Sequence, residues 1–391
     1  MNRGANAKPL EGILVLDFSQ FLSGPSAALR LADLGARVIK IEKPGTGDIC
    51  RTLYISDLEL DGDSTLFHSI NRNKEGYAAD LKREEDRDRV RRLIERSDVL
   101  IQNFRPGVME RLGLHYDAVR ERNPALIYAE ITGYGAEGPW KDKPGQDLLV
   151  QSLSGLAWLN GEADRPPQPL GLAAVDMAAG TYLVQGVLAG LFRRSMTGAG
   201  CRVEVSLLES ILDLQAAELV VYWNGGERLP QRPQTGGAHA WMPAPYGMYP
   251  TADGYIALGA GSVEALGKAL DCCESLAGCA DEASRYERRE EINRLIAGRL
   301  AAGTTSMWLE RLEAAGYPCS SVLTWEQLRR EEAFLRLGMT QTVYRGSGAA
   351  MRTTRCPIRI DGAVYTSSQG SPRIGEHNES INEWLEATEH E

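Results

Sequence analysis

Apolar positions in the first 135 residues fall into short unbroken runs separated by amphipathic stretches. GILVLDF (12–18) and RVIKIE (37–42) have strand length, and the intervening AALRLADLGA repeats its apolar residues at helical spacing up to Gly35. Strand, helix and strand so close together predict a right-handed βαβ unit and hence a parallel sheet. The alternation continues through a charged helix at 84–98, the run VLIQNF (99–104), a short helix near 117–122 and ALIYAEITGYG (125–135). The pattern is that of an α/β protein.

Further along, 175–195 and 203–223 read as two long, largely apolar helices around the basic turn RRSMTGAG. The Gly-, Pro- and Gln-rich stretch 224–245 is too polar for a core element and reads as a linker or functional loop. A hairpin over 246–261, helices near 262–273, 285–301 and 304–315, and the strand-like CSSVLTW (319–325) predict a smaller α+β domain. The expected division is 1–223 in a large α/β domain, 224–325 in a small one, and 326–391 returning to the first.

Composition narrows the function. The 391 residues suffice for two domains, and 43 Lys+Arg against 53 Asp+Glu leave a net charge of −10. A field of that sign repels a nucleic-acid backbone. No segment reaches the ~18 continuous apolar residues of a membrane span, and the first dozen residues lack the apolar region of a secretory signal. The seven cysteines show neither CxxC pairs nor metal-like spacing with histidine, so no metal site and a reducing cytoplasm are expected.

The loop after the first strand, SQFLSGPSAA, lacks GxGxxG, so the usual dinucleotide fingerprint is absent. Without those glycines, Glu42 at the end of the second strand reads as a solvent-facing strand end rather than a ribose ligand. No GxSxG elbow, HExxH pair or catalytic histidine grouping occurs. Two carboxylates stand in apolar surroundings, Asp147 and Asp176. Either could be a turn or helix-cap aspartate, and either could be a nucleophile supported by a helix start. Basic residues gather at Asn71-Arg72-Asn73-Lys74, at Asn103-Phe104-Arg105 and at Lys141-Asp142-Lys143. Ligands of α/β sheets bind at the carboxyl ends of strands, where such cations could hold a small polyphosphate and Phe104 could stack on a planar ring.

The segments VLDFSQFLSGP, LADLGARVIKIEKPGTGD, NRNK, QNFRPGVMERLGL, ITGYGAEGPWKDKPGQD, QSLSGL, GLAAVDMAAG and TGAGCRVEVSLLES, in this order, resemble the class III CoA-transferases of the formyl-CoA and carnitine CoA-transferase type. The resemblance implies a large domain with a Rossmann-like parallel sheet built from both chain ends, a smaller central domain and an interlocked, ring-like homodimer. It implies that Asp176 is the nucleophile, that an acyl-CoA and a small carboxylic acid are the substrates, and that no separate cofactor is needed. With an ordinary aspartate pKa of about 3.9, Asp176 is expected to be ionised near pH 7. By the same resemblance, Arg105 and Arg111 bind CoA phosphates, and Asn103 and Phe104 lie on the adenosine or pantetheine side. Lys43 with Asn71, Arg72, Asn73 and Lys74 completes the nucleotide pocket. Lys143, Gln146 and Asp147 border the acyl site, Gln20, Leu22 and Ser23 also bind CoA or substrate, and Gly236 and Gly237 stand for the family's glycine run over the site.

Leu22 occupies the place where formyl-CoA transferase carries glutamine, which points away from formate and oxalate toward a larger or different acid. The rival on the same fold is an α-methylacyl-CoA racemase, which needs a histidine where Gln146 stands; Gln146 cannot titrate. A third reading is a non-catalytic acyl-CoA-binding protein in which Asp176 is a helix cap.

Overall fold

The computed structural model describes residues 8–387 except Ser56 and Ala280. The chain forms two compact units, one of Met1–Val150, Ala173–Asp213 and Leu337–Glu391, the other of Gln151–Leu172 and Leu214–Arg336. The excursion 151–172 into the second unit is marked by no break in composition.

The first unit is built on a six-stranded parallel sheet. In chain order its strands are β1 (Leu14–Asp17), β2 (Arg37–Glu42), β3 (Glu75–Ala78), β4 (Val99–Gln102), β5 (Ile127–Thr132) and β6 (Cys201–Ser206), arranged β3-β2-β1-β4-β5-β6. The central strand is apolar throughout its first three residues because a parallel sheet is covered on both faces. Leu14 and Leu16 join the core formed with helix α2 (Glu84–Arg96) and the terminal helix α4 (Asn378–Ala387). The opposite face is covered by α1 (Ser23–Asp33) and α3 (Ala174–Thr197), which pack on each other. Although α3 is long and apolar enough to cross a membrane, it serves here as a core helix, with Val175, Ala179, Leu183 and Val187 buried.

Two expectations are corrected. The stretch 203–223 is not one helix: Cys201–Ser206 is the sixth strand, and helices Leu207–Leu214 and Ala216–Asn224 follow. Val203 and Val205 alternate with polar neighbours, a period of two that the apolar run beyond them hid. Glu42 is not solvent-facing but buried, accepting from Arg51 Nε (2.9 Å) and from the Asp48 amide (2.8 Å). Arg51 also binds Asp63, which Arg345 from the chain's last segment shares. Further along that segment, the Asn378 side chain bridges both backbone groups of Ala78 on the edge strand β3.

In the second unit, antiparallel strands Gly247–Pro250, Tyr255–Leu258 and Cys319–Ser321 form a sheet, and helices including Arg289–Leu300 and Thr305–Ala314 supply its core with Ile292, Ile296, Trp308 and Leu312. Cys272 and Cys279 are packing residues of that core.

Candidate active site

The order β3-β2-β1-β4-β5-β6 reverses direction between β1 and β4, and an open α/β sheet binds its ligand at such a point, beyond the carboxyl ends of the strands. The loops after β1 and β4 meet there. Asn103 holds Gln20 through both backbone groups: its Oδ1 accepts from the Gln20 amide (2.8 Å) and its Nδ2 donates to the Gln20 carbonyl (2.7 Å). Lys40 Nζ donates to the Ser19 carbonyl (2.9 Å), and Asp48 Oδ1 accepts from the Phe21 amide (3.2 Å). These bonds hold Phe21 at φ 61°, a left-handed conformation that a bulky side chain adopts only under such constraint. Helix α1 then begins at Ser23.

Small residues bring α3 against that helix start. A side chain on Gly180 would meet Ser26 Oγ at 2.6 Å and the Ser23 carbonyl at 2.7 Å. The approach lets the buried Ser23 hydroxyl bond the Asp176 carboxylate. Asp176 lies in the first turn of α3, where the positive end of the helix dipole favours an anion. It does not cap its own helix. Asp147, remote in sequence, does so, its Oδ1 accepting from the amides of Val175 (2.8 Å) and Asp176 (3.1 Å). The loop carrying Asp147 is seated by a glycine contact: a side chain on Gly145 would strike Gly133 Cα at 2.7 Å.

The half-buried Asp176 carboxyl is pushed up to about 7, first by burial and then by the Asp147 carboxylate, against which the Ser23 hydroxyl works. This corrects the expectation of full ionisation at neutral pH, which took the carboxyl as solvated.

Asp176 and Asp147 open onto a cavity of about 700 Å³ that is also lined by Arg105, Arg111, Lys141 and Lys143. Ser23, Asn103, Phe104 and Gln146 line it too. The other residues expected at the nucleotide pocket have different surroundings. Lys74 is buried, donating to Asp17 Oδ2 (2.8 Å), the Pro25 carbonyl (2.9 Å) and Asn71 Oδ1 (2.9 Å). Arg72 forms a buried pair with Asp33 (2.5 Å), and Asn73 Nδ2 donates to the Ala32 carbonyl (2.9 Å). These side chains stitch the sheet edge to α1 and do not line the cavity. Lys43 is exposed after β2, Gln20 is engaged through its backbone, and Leu22 packs beside Cys50 and Phe67. Gly236 and Gly237 belong to the second unit. Phe21, 45% exposed and lining the cavity, was missed by sequence reasoning; only its place before the Gly24-Pro25 turn could have singled it out. Among the described residues no group of His, Cys, Asp and Glu is arranged to hold a metal ion.

Fold and site together define a doubly wound α/β protein whose cationic cleft at the sheet's switch point holds a carboxylate of raised pKa. The sequence matches CoA-transferase family III over residues 10–378, and the chain belongs to that family of enzymes, which transfer CoA. A probable fatty acyl-CoA transferase of Mycobacterium tuberculosis is 34% identical over 385 residues, covering 95% of this chain and 97% of that one. The succinyl-CoA:glutarate CoA-transferase of Mus musculus is 30% identical over 379 residues, covering 96% and 86%. The crystal structure of a CAIB/BAIF family protein from Brucella suis superposes with a TM-score of 0.86 at 31% identity, covering 97% of this chain and all of the other.

Proposed function

We propose that the protein moves CoA from an acyl-CoA to a free carboxylic acid through covalent intermediates on Asp176. The observation that carries this reading is the placement of the Asp176 carboxylate, in the first turn of a helix, in the same cavity as Arg105, Arg111, Lys141 and Lys143. A carboxylate oxygen of Asp176 attacks the thioester carbonyl; the C–S bond breaks, its electron pair leaves with sulfur, and an aspartyl anhydride and CoA thiolate result. The thiolate attacks the aspartyl carbonyl of the anhydride, releasing the donor acid and leaving an aspartyl-CoA thioester. The acceptor carboxylate repeats both steps in reverse, so atoms balance and no net proton is taken up. A raised pKa makes the ionised Asp176 the better nucleophile, and forming a neutral anhydride relieves its repulsion by Asp147.

The cations suit the phosphates of CoA, and Phe104 suits its adenine. The names of the succinyl-CoA:glutarate relatives make dicarboxylates the first acceptors to screen. The reading includes a homodimer, supported by large apolar side chains left exposed on the single chain, among them Phe192, Met196 and Trp325, and a cytoplasmic location, expected from cysteines without CxxC pairs; light scattering and cell fractionation test those two points. Asp176→Ala is expected to lower CoA exchange at least about a thousandfold without lowering the thermal midpoint at neutral pH. Hydroxylamine added with an acyl-CoA is expected to inactivate the wild type by leaving a hydroxamate on Asp176, detected by peptide mass spectrometry. Exchange that persists in Asp176→Ala would refute the covalent route.

A further inference from the structure

Glu130 lies within β5, in an otherwise apolar run, and is buried. Its register partner on β4 is Gln102, and Arg202 extends from the adjacent β6. Glu130 Oε1 accepts from Arg202 Nε (2.8 Å) and pairs with its Nη2 (2.5 Å), while Oε2 accepts from Gln102 Nε2 (2.8 Å). The Gln102 amide is thereby oriented, because its nitrogen must face the carboxylate. Its Oε1 then accepts from the Phe104 amide (2.8 Å), at the start of the loop that brings Phe104 and Arg105 to the cavity.

We propose that Glu130, Gln102 and Arg202 are positioning residues that set the Asn103–Gly107 loop for CoA binding, through a row of hydrogen bonds whose polarity only a carboxylate at 130 can maintain. This rests on the assignment of that loop to CoA. The reason lies in donor and acceptor count. A carboxylate offers acceptors to both neighbours, whereas an amide offers one acceptor and one NH2 group. With glutamine at 130, the oxygen stays on Arg202 and the NH2 faces Gln102. Gln102 must then either meet it NH2 to NH2, or flip and turn its own NH2 toward the Phe104 N–H. Either way one bond of the row is lost. The Tyr128 hydroxyl beside Gln102 gives its one proton to the Leu114 carbonyl (3.3 Å), so toward Gln102 it accepts, which favours the same orientation of the amide nitrogen.

The same count predicts a rescue. Exchanging the two side chains, Glu130→Gln with Gln102→Glu, restores the polarity: the amide at 130 accepts from Arg202 and donates to the carboxylate at 102, whose other oxygen accepts from Phe104. Glu130→Gln alone is expected to raise KM for acyl-CoA about tenfold, the effect of one lost hydrogen bond to a loop that must be ordered for binding, with kcat at saturation unchanged. Gln102→Met, which removes the amide without adding charge, should do the same. The exchanged double variant should return KM to within about threefold of wild type. Thermal midpoints measured alongside separate loop positioning from loss of fold. A wild-type KM in both Glu130→Gln and Gln102→Met, or a folded double variant no better than Glu130→Gln, would overturn the proposal. Arg105→Gln separates the two levels: if it too leaves KM unchanged, the assignment of the loop to CoA has failed; if it alone raises KM, only the positioning row has failed.

Discussion

Two basic segments of the first unit look interchangeable on paper and end in opposite environments. Asn71-Arg72-Asn73-Lys74 lies just before β3, and its two cations are buried and paired with Asp33 and Asp17. Asn103-Phe104-Arg105 follows β4, and Arg105 stands exposed at the cavity with Arg111. The difference is one of available partners. Burial opposes the charge on Asp17, yet Lys74 and Lys40 hold its carboxyl below the usual range, so the lysines beneath the loop are spent on keeping Asp17 ionised inside the protein. A cation already bonded to a buried carboxylate and two further oxygens has nothing to offer a phosphate, whereas an exposed arginine keeps its donors for one.

The comparison breaks or sharpens under substitution. The largest effect is expected from Lys74→Met, which leaves the buried Asp17 charge to Lys40 at 4.0 Å and to the Ser19 hydroxyl and should cost about 3 kcal/mol of stability in urea unfolding. An unaltered unfolding curve with a raised KM for acyl-CoA would reverse the assignment of the two segments. Arg105→Gln and Arg111→Gln should each raise that KM roughly tenfold, about 1.4 kcal/mol, with no change in unfolding. Combining the two should leave acyl-CoA binding less sensitive to added salt, since fewer charge contacts remain to be screened.

A smaller set of effects follows pH. Because Asp176 reacts as the carboxylate and titrates near 7, kcat/KM should fall tenfold per unit as pH drops below about 7. The groups facing this equilibrium are the Asp147 carboxylate, the Ser23 hydroxyl and the Cys50 thiol, with the cavity's arginines and lysines around them. Removing the repulsive charge with Asp147→Asn, whose amide oxygen can still accept from the helix start, should move the acid limb to lower pH. Stability runs the opposite way. A carboxyl whose folded pKa lies above its unfolded value stabilises the fold fully below about 4, and that contribution is lost as pH rises through 7. Asp176→Asn should flatten that part of the stability profile, as read by unfolding at pH 4, 5.5 and 7.5.

Much of the framework is legible in local pattern. The apolar runs ending at Asp17, Glu42 and Gln102 are strands of the sheet, and NFRPG follows a strand end where a ligand loop belongs. Those features depend on neighbours a few residues away. Cys201–Ser206 escaped because its short alternating pattern runs into an apolar helix, and Glu130 went unnoticed because one charge inside a strand gives no hint of what lies on the strands beside it.

Residue order alone carries the alternating architecture and, through ordered motifs, a family in which Asp176 is the residue to examine. Which charges reach solvent and which are held inside is settled by the folded arrangement of distant segments. Lys74 meets Asp17 across 57 residues, and Asp147 caps a helix whose first amides lie 28 and 29 residues away. Desolvation and hydrogen bonding act between groups that the fold makes neighbours. The pKa of Asp176, the vacant donors of Arg105 and the fixed amide of Gln102 therefore exist only once the sheet has brought its strand ends together.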